Sequence, residues 1–354
     1  VPLLRIDKRE LDALGRVAVR LARIDWDSHE GSREFVGVIR PGTQLMRDWV
    51  ARRLAEGATR AAELESVESQ IDALVAQVTP PGLLLDEAES APSVLLTDYR
   101  NNPAQGIRDL AQDLVSYAVG CMFGRYSADV PGLVLANQGD SLHEYLARVP
   151  DPSFMPDADG VIPVVDGEWF EDDIVARFRT FLRVAFGEEH FEENLRFVTE
   201  SLGVKDIRDY FVKSFYDDHV KRYKKRPIYW LFRSPKGSFS ALIYLHRYSP
   251  STASTVLTGY LREFIGKLEA NLEHQGRVAA GMGGASARDV ATALKEADRI
   301  RKVLVELRDY EHDVLFPLAG QQIALDLDDG VLVNYQKLGP ALKDIGLKKG
   351  GGGE

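Results

Sequence analysis

The segment Asp209–Tyr248, DYFVKSFYDDHVKRYKKRPIYWLFRSPKGSFSALIYLHRY, changes structural language halfway along. A helical rhythm over Asp206–Tyr223 stops before Pro227. Ile228–Arg233 and Phe239–Tyr248 then read as two antiparallel strands joined by a Pro235-Lys236-Gly237 turn. The same segment packs six basic residues between Lys213 and Arg226, in a chain whose formal net charge is -10. Lys221, Arg222, Lys224, Lys225 and Arg226 give one face a field that attracts phosphate, while Tyr229, Trp230, Phe232 and Tyr244 supply flat rings that can pack or stack. The alternative, on residue types alone, is that the rings alternate through a sheet as core and the lysines solvate the end of the helix.

Outward from this segment, helices dominate. Asp7–Ile24 has apolar residues at Leu11, Leu14, Ala18, Leu21 and Ala22, the spacing of an amphipathic helix. Thr43–Val78, stopped by Pro80-Pro81-Gly82, reads as one extended helix packed on one side or as two helices. Ile107–Phe123 is apolar all round and is expected to be buried; Glu168–Phe186 and Glu188–Leu202 are amphipathic. Val256–His274 and Val290–Phe316, separated by a glycine-bearing link, form an expected antiparallel helical hairpin that could serve as a spacer or docking arm. Ile323–Leu327 against Val331–Tyr335, around Asp328-Asp329-Gly330, reads as a second, weaker β-hairpin. Leu83–Pro103 reads as loop and residues 348–354 as a disordered tail.

The expected class is therefore mainly α with a small antiparallel β element (α+β): a multi-helix domain with a β-hairpin and a long antiparallel helical hairpin. The expected divisions are an N-terminal helical segment and loop (1–105), a helical core with the basic-aromatic hairpin (106–250), the helical hairpin (251–320), a β-turn segment (321–347) and the tail (348–354).

Composition narrows the function. With 45% hydrophobic and 28% charged residues, one cysteine and no apolar run long enough to span a bilayer, the chain reads as a soluble cytoplasmic protein without a membrane partner. Cys121 lies in an apolar helix and is expected to be a small core residue rather than a reactive thiol. Asp326, Asp328 and Asp329 resemble the start of a calcium loop, yet no glutamate follows at the twelfth position. Asp217, Asp218 and His219 point about 100° apart on a helix and do not converge on one ion. No HxxxH or serine-elbow pattern is present, so hydrolase chemistry has no support.

Lys225–Tyr248, KRPIYWLFRSPKGSFSALIYLHRY, resembles a near-C-terminal signature of PglX-type adenine-specific DNA methyltransferases, the modification enzymes of BREX phage-defence systems. The resemblance extends through IDWDSHEGSREF (Ile24–Phe35), DLVSYAVGCMFGRYSADVPGLVLA (Asp113–Ala136), DGEWFEDDIVARFRTFL (Asp166–Leu182) and IALDLDDGVLVNYQKLG (Ile323–Gly339). Five blocks in one order are far more specific than any one of them. Such an enzyme needs a glycine-rich turn for S-adenosylmethionine and an Asn-Pro-Pro-Tyr type loop for the flipped adenine. Here Asn101-Asn102-Pro103-Ala104 lacks the second proline and the aromatic, and Gly281, Gly283 and Gly284 follow a helix rather than a strand.

The resemblance thus implies a non-catalytic, C-terminal portion of a larger enzyme, with no cofactor of its own and S-adenosylmethionine held by an upstream catalytic domain. Lys221, Arg222, Lys224, Lys225 and Arg226 would hold phosphates of double-stranded DNA, with Arg233, Lys236, His246 and Arg247 as further contacts, orienting the duplex while adenine is flipped and methylated elsewhere. The alternative is a protein-docking module that binds other defence components or a DNA-mimicking phage protein. A free-standing protein is a third, weaker reading.

Overall fold

The computed structural model describes residues 8–37, 42, 44–79 and 95–347; the Pro80-Pro81-Gly82 helix stop, most of the Leu83–Pro103 loop and the 348–354 tail lie outside the described residues. In chain order the helices are α1 (Lys8–Asp27), α2 (Met46–Ala76), α3 (Pro103–Met122), α4 (Leu142–Arg148), α5 (Ile174–Phe186), α6 (Phe191–Leu202), α7 (Ile207–Tyr210), α8 (Tyr216–Arg222), α9 (Thr252–Thr255), α10 (Arg262–Ala279), α11 (Ala287–Tyr310), α12 (Phe316–Gln321) and α13 (Gly330–Leu338). Three strands, β1 (Val161–Pro163), β2 (Tyr229–Arg233) and β3 (Ser240–Tyr244), form one antiparallel sheet in the order β1-β3-β2. Wider π-helical turns at Phe211–Phe215, Val256–Leu261 and Glu311–Leu315 join α7 to α8, α9 to α10 and α11 to α12 without breaking the helical path. The mainly α, small-β expectation holds.

Two compact units divide the chain, Val1–Tyr117 with Leu182–Gly203, and Ala118–Phe181 with Val204–Glu354. In the first, α1 meets α2 through Leu21, Ala61 and Leu64, closed by Leu95. Residues Trp49, Val50, Gly57, Ala61, Leu64 and Val67 are buried along α2, which is one 31-residue helix rather than two. A Cβ at Gly57 would stand 2.3 Å from the Thr97 carbonyl oxygen, so the bare helix surface admits a passing backbone. Buried Asp25 fixes that backbone by accepting the amides of Leu96 (2.6 Å) and Thr97 (3.2 Å).

The second unit contains the sheet. Trp230, Phe232, Ala241 and Ile243 face Phe264, Leu268, Ile300, Leu304 and Leu307 of the α10–α11 hairpin in one core. On the opposite face Tyr229 stacks on Phe123 with centroids 5.4 Å apart, and Tyr244 lies 6.3 Å from the same ring. Both faces of the sheet are therefore covered, which is why the strands read as unbroken apolar and aromatic runs. At the surface of this antiparallel pair, Arg262 of α10 meets Glu311 just after α11 (2.6 Å) and Arg308 of α11 meets Glu269 of α10 (2.6 Å). Ser286 and Asp289 form a capping box at the start of α11.

Four details differ from the sequence reading. The expected hairpin at Ile323–Tyr335 is absent: Asp326 accepts the Asp328 amide (3.0 Å), and Leu327–Asp329 turns directly into α13. Asp-Gly chemistry serves a helix start here, and Asn334, Tyr335 and Leu338 are buried with the spacing of a helical face. The strand β1 was not anticipated; its three residues pair with Ile243, Leu242 and Ala241 of β3. Helix α5 begins at Ile174 instead of Glu168, because Asp173 accepts the amides of Val175 (3.0 Å) and Ala176 (2.9 Å) as an N-terminal cap. Strand β3 stops at Tyr244, and Leu245–Arg247 forms a 3-10 turn, so His246 and Arg247 are not strand residues.

Candidate nucleic-acid interface

Helix α8 ends at Arg222, and the chain must reverse within a few residues to enter β2. It does so by placing Lys224 (φ 51°) and Lys225 (φ 62°) in the left-handed region, with hydrogen bonds from Lys224 N to Lys221 O (3.0 Å), Lys225 N to Val220 O (2.8 Å) and Arg226 N to Tyr223 O (2.9 Å). Two consecutive non-glycine residues there are a strained arrangement. The reversal leaves Lys221, Lys224, Lys225 and Arg226 exposed and Arg222 half-buried. Lys221 has a weak carboxylate contact, 3.8 Å to Asp218, while Lys225 Nζ reaches the Gly346 carbonyl at 3.4 Å. Among the described residues Lys224 and Arg226 make no ion pair.

Beneath this turn the rings are spoken for. Tyr229, Trp230, Phe232 and Tyr244 are all at most 1% exposed, so they pack and none is available to stack on a base. His219 accepts the Tyr229 amide at Nε2 (3.1 Å), and burial, with Arg222 and Arg125 adding to it, holds the imidazole well below its ordinary pKa and therefore neutral. Arg125, which the sequence reading passed over, lies over the rings of Tyr126 (5.2 Å) and Tyr223 (5.9 Å). The neighbouring acids diverge: Asp217 pairs with Lys343 (2.6 Å) and Asp218 accepts the Tyr210 hydroxyl (3.0 Å). Among the described residues no cluster of three or more His, Cys, Asp or Glu side chains could hold a metal ion.

His246 and Arg247 occupy a different place from the turn cations. Arg247 donates through Nη1 to the Asp157 carbonyl (2.7 Å) and through Nη2 to the Ala158 carbonyl (2.8 Å), bracing the loop ahead of β1. His246 is half-buried and shifted below its ordinary pKa by burial and by Arg125.

At the far end of β2 the structure assembles a second group of cations. The loop joining β2 to β3 is anchored on buried Glu306 of α11, which accepts Ser234 Oγ (2.6 Å), the Lys236 amide (2.7 Å) and Ser238 Oγ (2.5 Å). Burial pushes the Glu306 carboxyl up, but these hydrogen bonds together outweigh it and hold the group below its ordinary value. Beside this anchor lies a cleft of about 440 Å³ whose walls include Lys213, Arg233, Lys236, Arg299 and Lys343, with Trp169 as its ring. Arg233 and Lys236 were expected as contacts; Lys213, Arg299 and Lys343 come from three other parts of the chain, and no local motif announces their meeting.

Asn101-Asn102-Pro103-Ala104 proves to be a helix start, with Asn102 Oδ1 accepting the Gln105 amide (3.2 Å) at the head of α3. The Gly281–Gly284 segment links α10 to α11. Neither has the strand-to-helix setting that a nucleotide-binding glycine turn requires. Among the described residues no helix is long and apolar enough to cross a membrane.

No protein-family profile matches the chain. It is 34% identical over 367 residues to an adenine-specific methyltransferase, BrxX, of Escherichia coli O9:H4 (strain HS), an alignment that takes in 96% of this chain and 30% of that protein. It is 32% identical over 354 residues to adenine-specific methyltransferase PglX of Lacticaseibacillus casei (strain Zhang), covering 95% of this chain and 28% of the relative. The chain is thus related over nearly its whole length to adenine-specific methyltransferases, and it spans less than a third of the length of these curated relatives. Within that class its kinship is with the PglX type, as the five collinear blocks implied.

Proposed function

We propose that this chain is a non-catalytic, DNA-positioning region of an adenine-N6-specific DNA methyltransferase that acts in phage defence in the cytoplasm. In this reading S-adenosylmethionine and the reacting adenine belong to another part of the parent protein, and the present residues hold double-stranded DNA by its phosphates. The observation that carries the reading is the basic turn: Lys221, Lys224, Lys225 and Arg226 are exposed, Lys224 and Lys225 stand at positive φ, and the chain as a whole is net acidic. The backbone of the turn serves the chain reversal, but its exposed cationic side chains have few partners, and phosphate is the ligand such a field attracts.

Fluorescence anisotropy of a labelled duplex with the 354-residue chain tests this. Binding should weaken steeply between low and moderate salt, and a variant with Lys221, Arg222, Lys224, Lys225 and Arg226 changed to Glu should lose it. Failure of the native chain to bind duplex even at low salt would end the proposal. A second reading, a docking module for other defence proteins or a DNA-mimicking protein, is favoured by exposed Leu294 and Val305. Their eleven-residue separation puts both on one outward face of α11. Partner binding through that face would respond weakly to salt.

A further inference from the structure

We infer that the cleft at the end of β2 is a second phosphate-binding site, which grips the DNA backbone at a distance from the basic turn. The inference deepens the DNA-positioning reading and rests on it. Its first support is charge: among the described residues, Lys213, Arg233, Lys236, Arg299 and Lys343 line the cleft against a single carboxylate, Asp166. Three of the five have partners of their own, Asp209 for Lys213, Glu296 for Arg299 (2.6 Å) and Asp217 for Lys343 (2.6 Å). Arg233 and Lys236 have no ion-pair partner among the described residues, and they are the cations that an incoming phosphate would neutralise.

The second support is preorganisation. The Arg233 guanidinium lies close against Gly237, where a Cβ would come within 2.3 Å of Nη2; the glycine, at φ 78°, makes room for it. Glu306 fixes the Lys236 backbone from below, and Trp169 is held by its Nε1 donating to the Asp166 carbonyl (2.8 Å) and by an edge contact with Phe264. A planar guanidinium packed against the chain, with no carboxylate among the described residues to displace, can present its paired N–H groups to a phosphate.

The third support is spacing. Five residues of β2, at about 3.3 Å each, separate the turn from the cleft by roughly 15 Å. At ~3.4 Å of axis per phosphate along one strand, that is about four phosphates of duplex. Lys343 lies along the same path, since its amide donates to the Leu231 carbonyl (2.9 Å) in the middle of β2. Turn and cleft therefore act as two grips on one backbone.

The test uses duplex binding by the full chain over a salt series. Arg233→Ala with Lys236→Ala should weaken binding about tenfold and flatten the plot of log K against log salt by nearly two, about 0.9 for each phosphate left without its cation. Exposed Asp166→Asn should do the reverse, tightening binding about threefold, a gain that misfolding cannot imitate. Should both variants bind with native affinity and slope while reversal of the turn abolishes binding, the second grip is refuted and the positioning reading survives. If the native chain binds no duplex, both fall together.

Discussion

The basic turn and the cleft sit at opposite ends of the same five-residue strand, and they are built on opposite plans. The turn draws its cations from six consecutive positions, sets two of them at positive φ, and leaves most of them exposed. The cleft draws its cations from α11, β2, the loop after it, the π-turn before α8 and the segment after α13, each on backbone in ordinary conformations apart from Gly237. One is a charge cluster tolerated by the fold, the other is a charge cluster constructed by it. The difference teaches that a local run of lysine and arginine concentrates field, whereas defined direction comes from anchors such as Glu306 and Gly237.

Substitutions can break or sharpen this contrast. The largest effect is expected at Trp230, which is fully buried between the two ends and stands with Tyr335 edge-on at 4.9 Å. Trp230→Ala should lower unfolding free energy by about 4 kcal/mol in chemical denaturation and disable both ends at once. Retention of most of the stability would mean that the rings are not the common support. Next comes Glu306→Ala, which strands two hydroxyls and an amide and should cost about 2–3 kcal/mol. Its effect on duplex binding should mimic removal of the cleft grip and leave the turn's contribution intact.

A smaller effect follows from pH. Because the Glu306 carboxyl sits below its ordinary value when folded, its contribution is complete above the ordinary glutamate range and disappears as pH falls through the folded value. Melting temperature measured from about pH 6 downward should therefore drop more in the native chain than in Glu306→Ala, and parallel curves would contradict the assigned anchor. The smallest effect is Lys225→Gly. Relief of the positive φ is set against the greater freedom of glycine in the unfolded chain, so stability should change by no more than about 0.5 kcal/mol while DNA affinity falls. A large destabilisation would show the turn to be structural and erase the contrast.

Much of the fold was legible because single residues punctuate it. Pro227 and the Pro235-Lys236-Gly237 corner bracket β2 correctly, and the apolar spacing through Ile300, Leu304 and Leu307 marks the inner face of α11. What escaped was non-local. Val161–Pro163 becomes a strand only because β3, about eighty residues later, supplies its partner. Asp328-Asp329-Gly330 carries the same letters whether it closes a hairpin or opens a helix, and the choice falls to burial of Tyr335 and Leu338. At the site, the turn cations could be read from the sequence, but aromatic residues counted as possible stacking platforms proved to be core. Lys343, Arg299 and Trp169 gave no signal, since only the tertiary fold brings them beside Arg233.

The outer side of β2 is not bare: Leu342 bridges Phe232, and the Lys343 amide donates to the Leu231 carbonyl. Tyr229–Phe232 is otherwise four aromatic and aliphatic residues, ending at Arg233, whose backbone donors and acceptors face sideways, the kind of segment that recruits a neighbouring molecule as its next strand. Residues 342 and 343 therefore cover the middle of that edge. A chain shortened ahead of residue 342 is expected to expose that edge and self-associate, which light scattering of the shortened chain would reveal.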